Sequence, residues 1–245
     1  MILNARAQYG IKGFQFDIFV NNITNTNTLM TGMLILMHFF ETANTAFSII
    51  DYPISYVELI GTAFGLISVY FASRANILTW STGIINEVFL FILFFQVHLY
   101  ADMFLQVYFF VVTIYGWYNW NTTKVENKIT AINSKARRLI AIVIIIGSMV
   151  SGFLIKNIHI YLPGYFKAAA AYPFTDSLVM VLSIIATVLL ARKKIENWHL
   201  WILVDTICVI LYFKKEIYFL SLEYLIFLGL ASYGLYHWKK QLIND

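Results

Sequence analysis

The chain has 245 residues, 60% of them hydrophobic and only 12% charged, with a net charge of +4. A soluble domain carries about twice that charged fraction, so the composition excludes an ordinary water-soluble globule and makes lipid the solvent for much of the surface. The single cysteine, Cys208, excludes a disulfide framework, and with three prolines and no Gly/Ser tract no linker divides the chain.

The opening residues, MILNARAQYGIKGFQFD, lack the continuous apolar core of a signal peptide. The stretch TGMLILMHFFETANTAFSII at 31–50 holds His38, Glu41, Thr42, Asn44 and Thr45 in its middle. It is expected to lie as a helix in the membrane interface, with a full span as the alternative. Seven apolar runs follow, at 54–73, 77–97, 100–120, 138–155, 174–191, 197–213 and 217–236. Each is long enough to cross a ~30 Å hydrocarbon core as a helix, which satisfies its own backbone hydrogen bonds where lipid cannot. The first run contains Gly61 and Gly65, a GxxxG spacing whose plainest use is close helix packing.

YGWYNW at 115–120 recurs as YGLYHW at 233–238, 118 positions later. Both copies end the third helix of a triplet, and a fourth helix lies between the triplets. A three-helix unit ends on the side opposite its start, so a second copy in the same orientation needs one extra crossing. The expectation is an all-α membrane protein of seven transmembrane helices in a 3+1+3 parallel repeat, its halves related by a pseudo-twofold axis. The organisation is an N-terminal segment over 1–53, a first triplet over 54–120, a linker with the fourth helix over 121–173, a second triplet over 174–238 and a tail over 239–245. Parallel repeats of this kind place a substrate near mid-membrane between the halves.

Orientation follows from the basic residues. With the N-terminus outside, eleven of the 17 fall on the inner side, among them Arg74, the group from Lys124 to Arg138, Arg192 to Lys194, and Lys239 and Lys240. The tail is therefore expected in the cytoplasm.

Polar residues deep in lipid are costly, and they face a partner or a cavity. Asp205 falls at the centre of the sixth helix, and Asn86 and Glu87 at the centre of the second, with Asn86 favoured over Glu87. Gln106 lies in the third helix, and Glu223 and Tyr224 lie at similar depth in the seventh. Asn86 and Gln106 serve equally as hydrogen-bonding glue between helices, and Glu223 equally pairs with Lys214 or Lys215. Asp205 has no basic residue within the spans to pair with, so a cationic ligand, a water-filled cavity or protonation must account for it. Trp198 and Trp201 share its helix face at i, i+3 and i+7, and Gln106, Phe110, Thr113, Trp117 and Trp120 form a stripe on the third helix. Tyr108 is counted with these candidates. An aromatic wall beside hydrogen-bonding groups suits a flat heteroaromatic ligand. The competing account is an interfacial aromatic belt, which explains Trp120 and Trp238 by itself.

No HExxH, Cys/His cluster, phosphate-binding loop or GxSxG is present, so no catalytic residue, metal or cofactor is expected. The segment GIINEVFLFILFFQVHLYADMFLQVYFFVVTIYGWYNW at 83–120 resembles the PnuC-type nicotinamide riboside transporters. So do FTDSLVMVLSIIATVLLARKKIENWHLW at 174–201 with the WxxWxxxD of Trp198, Trp201 and Asp205, SLEYLI at 221–226 and ELIGTAFGL at 58–66. The resemblance implies a fold similar to the SWEET sugar transporters, facilitated diffusion of nicotinamide riboside without ion coupling, often a homotrimer, and a bacterial inner membrane. It leaves a carrier of thiamine or riboflavin, or a proton-coupled form, as alternatives. A membrane enzyme is the reading from another class.

Overall fold

The structure, a computed structural model, describes residues 39–41, 44–49, 52–96, 100–122, 128–161, 164, 170–214 and 216–244. Among these, a short antiparallel hairpin, β1 (Thr45–Ile49) and β2 (Tyr52–Ser55), precedes seven helices. The helices are α1 (Tyr56–Ser73), α2 (Leu78–Gln96), α3 (Tyr100–Thr122), α4 (Ser134–Tyr161), α5 (Pro173–Ala191), α6 (Glu196–Lys214) and α7 (Tyr218–Asn244). Each expected span is therefore a helix, displaced by a few residues at its ends. The expected helix over 31–50 is corrected at its C-terminal end, where Thr45–Ile49 is a strand. Thr45 and Phe47 bring β-branched and aromatic side chains to this end, and Pro53 in β2 keeps the helix of the first span from extending back. Residues 31–38 lie outside the described residues.

Five of the helices, α1, α2, α4, α5 and α7, are long and apolar enough to cross a membrane. The remaining two, α3 and α6, are 23 and 19 residues long. They are the helices that carry Gln106 and Asp205, and α6 also holds Glu196 and Lys214. The polar residues that lower their hydropathy are thus among those nominated for function. Along α4, Leu139, Ile142, Ile145, Ile146, Met149 and Phe153 are all exposed, a face that only lipid or protein would solvate.

The chain divides into two compact units. The first contains 80–111 and the residues up to Ser68. Here Ser55 accepts a hydrogen bond from the Glu58 N–H at 3.2 Å and so caps α1. Val57 and Leu93 form the core, packed by Phe40, Phe89 and Leu90. Gly61 and Gly65 face α2, where a Cβ on Gly65 would stand 2.9 Å from the Asn86 amide nitrogen.

The second unit comprises 69–79 and 112–245. Within it α4 packs on α5, α5 on α6 and α6 on α7. Three turns in this unit share one hydrogen-bond pattern. After α1, Asn76 N–H donates to Phe71 O and Ala75 N–H to Ala72 O; after α5, Lys194 N–H donates to Leu189 O and Lys193 N–H to Leu190 O, all at 2.9 Å. After α6, Ile217 N–H donates to Tyr212 O at 2.9 Å and Glu216 N–H to Phe213 O at 3.1 Å, with Glu216 at φ 59°. Ala75 and Lys193 likewise adopt positive φ, 52° and 50°. All are Schellman turns made without glycine, and those at Ala75 and Lys193 stand 118 positions apart, the same interval as the YGxYxW copies. The segment leading into α4 docks on the second turn. Thr130 N–H donates to Lys193 O and its carbonyl accepts from Ile195 N–H, both at 3.0 Å. Both Glu196 carboxylate oxygens accept from Ile132 N–H at 3.1 Å, and Arg137 pairs with Glu196 at 3.0 Å.

Candidate functional site

The second unit gives α6 one continuous buried face. Trp198, Asp205 and Cys208 are buried, and Trp201 and Tyr212 are half-buried beside them. Asp205 sits at the middle of α6 and is 4% exposed. Leu182 of α5 packs against Val204 and Cys208, with Trp201, Tyr212 and Tyr224 around them. Tyr224, from α7, stacks on Tyr212 with ring centroids 5.4 Å apart and planes 15° apart. A carboxylate and an indole on α6, and two stacked phenols, thus lie on or against this one face of α6. That set offers an anionic acceptor, hydroxyl donors and flat apolar faces, the chemistry that holds a planar ring bearing positive charge. Glu223 is half-buried next to Tyr224.

Trp198 has a different neighbourhood. A Cβ on Gly234 of α7 would lie 2.7 Å from the Trp198 ring, and the Trp238 ring meets it edge-on at 5.6 Å. The indole is therefore seated in a socket made by the second YGxYxW. Trp120 and Trp238 are 3% and 0% exposed, and each indole N–H reaches a backbone carbonyl. They are core residues, which corrects the aromatic-belt account. Trp117 is 40% exposed, because the buried face of α3 passes through Thr113, Gly116 and Trp120.

In the first unit Gln106 and Glu87 are buried and Tyr108 is half-buried with its ring 5.6 Å from Phe109. Asn86 is half-buried and donates from Nδ2 to Gly61 O at 2.8 Å. One of its amide hydrogens is thereby used as interhelical glue. No group of three or more metal-ligating side chains occurs among the described residues.

A family model described as nicotinamide mononucleotide transporter matches residues 55–240. The chain belongs to this family. Among its relatives, the nicotinamide riboside transporter PnuC of Escherichia coli is 36% identical over 208 residues, covering 76% of this chain and 86% of that one. The riboflavin/roseoflavin transporter RibM of Streptomyces davaonensis is 28% identical, covering 79% and 89%. A crystal structure of the vitamin B3 transporter PnuC shares the fold, with a TM-score of 0.59 at 21% identity, covering 77% of this chain and 83% of that one. These relatives of the nicotinamide mononucleotide transporter family are transporters, not enzymes.

Two residues of this family member escaped the sequence reading. Tyr212 continues the α6 face seven positions after Asp205, a spacing already visible in Trp198, Trp201 and Asp205. Gly234 was legible only as a repeat of Gly116. Its use as a seat for Trp198 depends on α7 packing against α6.

Proposed function

We propose that the chain carries nicotinamide riboside across a bacterial inner membrane by facilitated diffusion, without ion coupling. The observation that carries this is Asp205, a carboxylate buried at the middle of α6 one turn from Trp201, on a face against which Tyr224 packs, in a member of this family. Nicotinamide riboside has a flat cationic ring, which an indole face and a carboxylate suit, and a ribose whose hydroxyls need hydrogen-bonding partners. Asp205, Trp201, Trp198 and Tyr224 are assigned to the ring. Asn86, Gln106, Glu223, Tyr108 and Trp117 are assigned to substrate as polar or aromatic contacts. The matching turns 118 positions apart support the 3+1+3 repeat. The family resemblance supports a homotrimer, and the charge bias supports an outer N-terminus and a cytoplasmic C-terminus.

The test is uptake of labelled nicotinamide riboside into vesicles with and without the protein. Uptake should appear only with protein, stop when the gradient is exhausted, and be unmoved by an imposed pH gradient. Excess unlabelled riboflavin or thiamine should compete poorly; strong competition by riboflavin would move the assignment toward the RibM-like relative. Asp205→Ala should weaken nicotinamide riboside binding by about 10- to 100-fold in calorimetry, the loss of one charge-assisted contact. Wild-type affinity in that variant would remove Asp205 from the site.

A further inference from the structure

The tryptophans that end the two YGxYxW copies are used crosswise. Trp120, near the end of α3, donates its indole N–H to Ala191 O at the end of α5, at 3.2 Å. Trp238, in α7, donates to Ala72 O near the end of α1, at 3.0 Å. Each third helix of one copy is thus tied to the first helix of the other. The two indoles lie 6.3 Å apart, and Trp238 meets Trp198 edge-on. Lys193 places its ammonium 4.3 Å over the Trp120 ring. All of this lies in the second unit, at the helix ends that carry Arg74, Arg192, Lys239 and Lys240.

The α6 face orders these groups along a line. From Asp205 it runs through Trp201 to Trp198, and Trp198 rests on Gly234 and Trp238. A ligand leaving Asp205 along that face toward the basic end meets Trp198, Trp238 and Trp120, which are 1%, 0% and 3% exposed. These buried indoles fill that end among the described residues, and moving Trp120 or Trp238 breaks its indole–carbonyl bond. The closure is not deeply stable. A hydrogen bond inside a protein contributes little net free energy, because water offers the same groups partners. The Trp198 indole N–H is also buried with no hydrogen-bond partner among the described residues, which penalises the closed packing.

We infer that Trp120, Trp238 and Trp198 form the gate at the basic end of the helices, closed in this structure by the two reciprocal indole–carbonyl bonds, with Gly234 positioning Trp198. The inference rests on the transporter reading. A gate explains why the two indoles are tied to two different helix ends rather than to one. It also explains why Gly234 lacks a side chain where Trp198 needs room.

The experiment uses the full chain in membrane vesicles with Cys208→Ala and Thr113→Cys. Thr113 is 4% exposed and lies seven positions before Trp120 on the buried face of α3. An impermeant maleimide is applied from the side of the C-terminus. Labelling should be slow in this parent and about fivefold faster with Trp120→Phe or Trp238→Phe, the population shift for losing one net hydrogen bond while keeping a ring. Gly234→Ala, which displaces Trp198 by a separate contact, should shift it the same way. Tyr118→Phe, on an exposed position of the same helix, should not. Parent-like labelling in every tryptophan and glycine variant that retains its melting temperature overturns the gate. Because labelling needs no substrate, it is separate from the transporter reading, which stands or falls on wild-type uptake. If one variant does not fold, the other two decide.

Discussion

Between Gly65 and Asn86 there is no room for another carbon. A Cβ on Gly65 would sit 2.9 Å from Asn86 Nδ2, whereas one on Gly61 would meet a Leu90 methyl at 3.1 Å. The Leu90 side chain can turn aside, but the Asn86 amide is fixed by its 2.8 Å bond to Gly61 O. Gly65→Ala should therefore cost about 1–3 kcal/mol and Gly61→Ala less, measured by thermal unfolding in detergent. Equal melting temperatures would show that Asn86 moves freely. The GxxxG spacing was legible in the sequence as a packing site. The hydrogen bond of Asn86 was not, because the sequence gives no contact across helices. For the same reason Trp120 and Trp238 read as interfacial residues: a tryptophan at a helix end looks alike whether its ring faces lipid headgroups or a neighbouring carbonyl.

At the scale of elements, the turn between α5 and α6 is held from outside. Glu196 accepts Ile132 N–H with both oxygens and pairs with Arg137, and Thr130 bridges to Lys193 and Ile195. Glu196→Gln should lower stability by about 1–2 kcal/mol and speed amide exchange at Ile132. Arg137→Ala should cost under about 1 kcal/mol, since the Arg137 side chain is 64% exposed and water screens it. An equal loss in both variants would place the stabilisation in the ion pair instead of the backbone bonds. Lys193, in the same turn, is held below its ordinary 10.5 by burial. The unfolded chain therefore binds more protons there, so stability from this group rises as pH climbs through its lowered value toward 10.5. In Lys193→Met, which keeps the packing without the charge, that alkaline rise in melting temperature should vanish. The hairpin Thr45–Ser55 shows the opposite case of legibility. The run over 31–50 reads as an interfacial helix from its own composition, but strand pairing depends on a partner segment outside that run.

For the whole molecule, the helices were legible because run length and apolarity are local properties of the chain, and five of the seven described are long and apolar enough to cross a membrane. The orientation expected from the charge bias can be tested on the intact protein. A fluorescent protein that matures only in the cytoplasm should light up when fused to Asp245, whereas alkaline phosphatase, active only outside, should be silent there. The reverse pattern would invert the topology. The interval of 118 positions was visible as YGxYxW and carries further, to two of the three Schellman turns, those at Ala75 and Lys193. By itself the sequence determined the helices, their polar residues and, through WxxWxxxD and its companions, the resemblance to a transporter family, because each depends on residue type at fixed spacing. Only the tertiary structure decided what those residues touch. It buried Asp205 on the face of α6 that packs Tyr224, seated Trp198 on Gly234, and turned the end tryptophans inward to carbonyls of other helices. Those partners lie up to 166 positions away along the chain, and only packing brings them within a hydrogen bond.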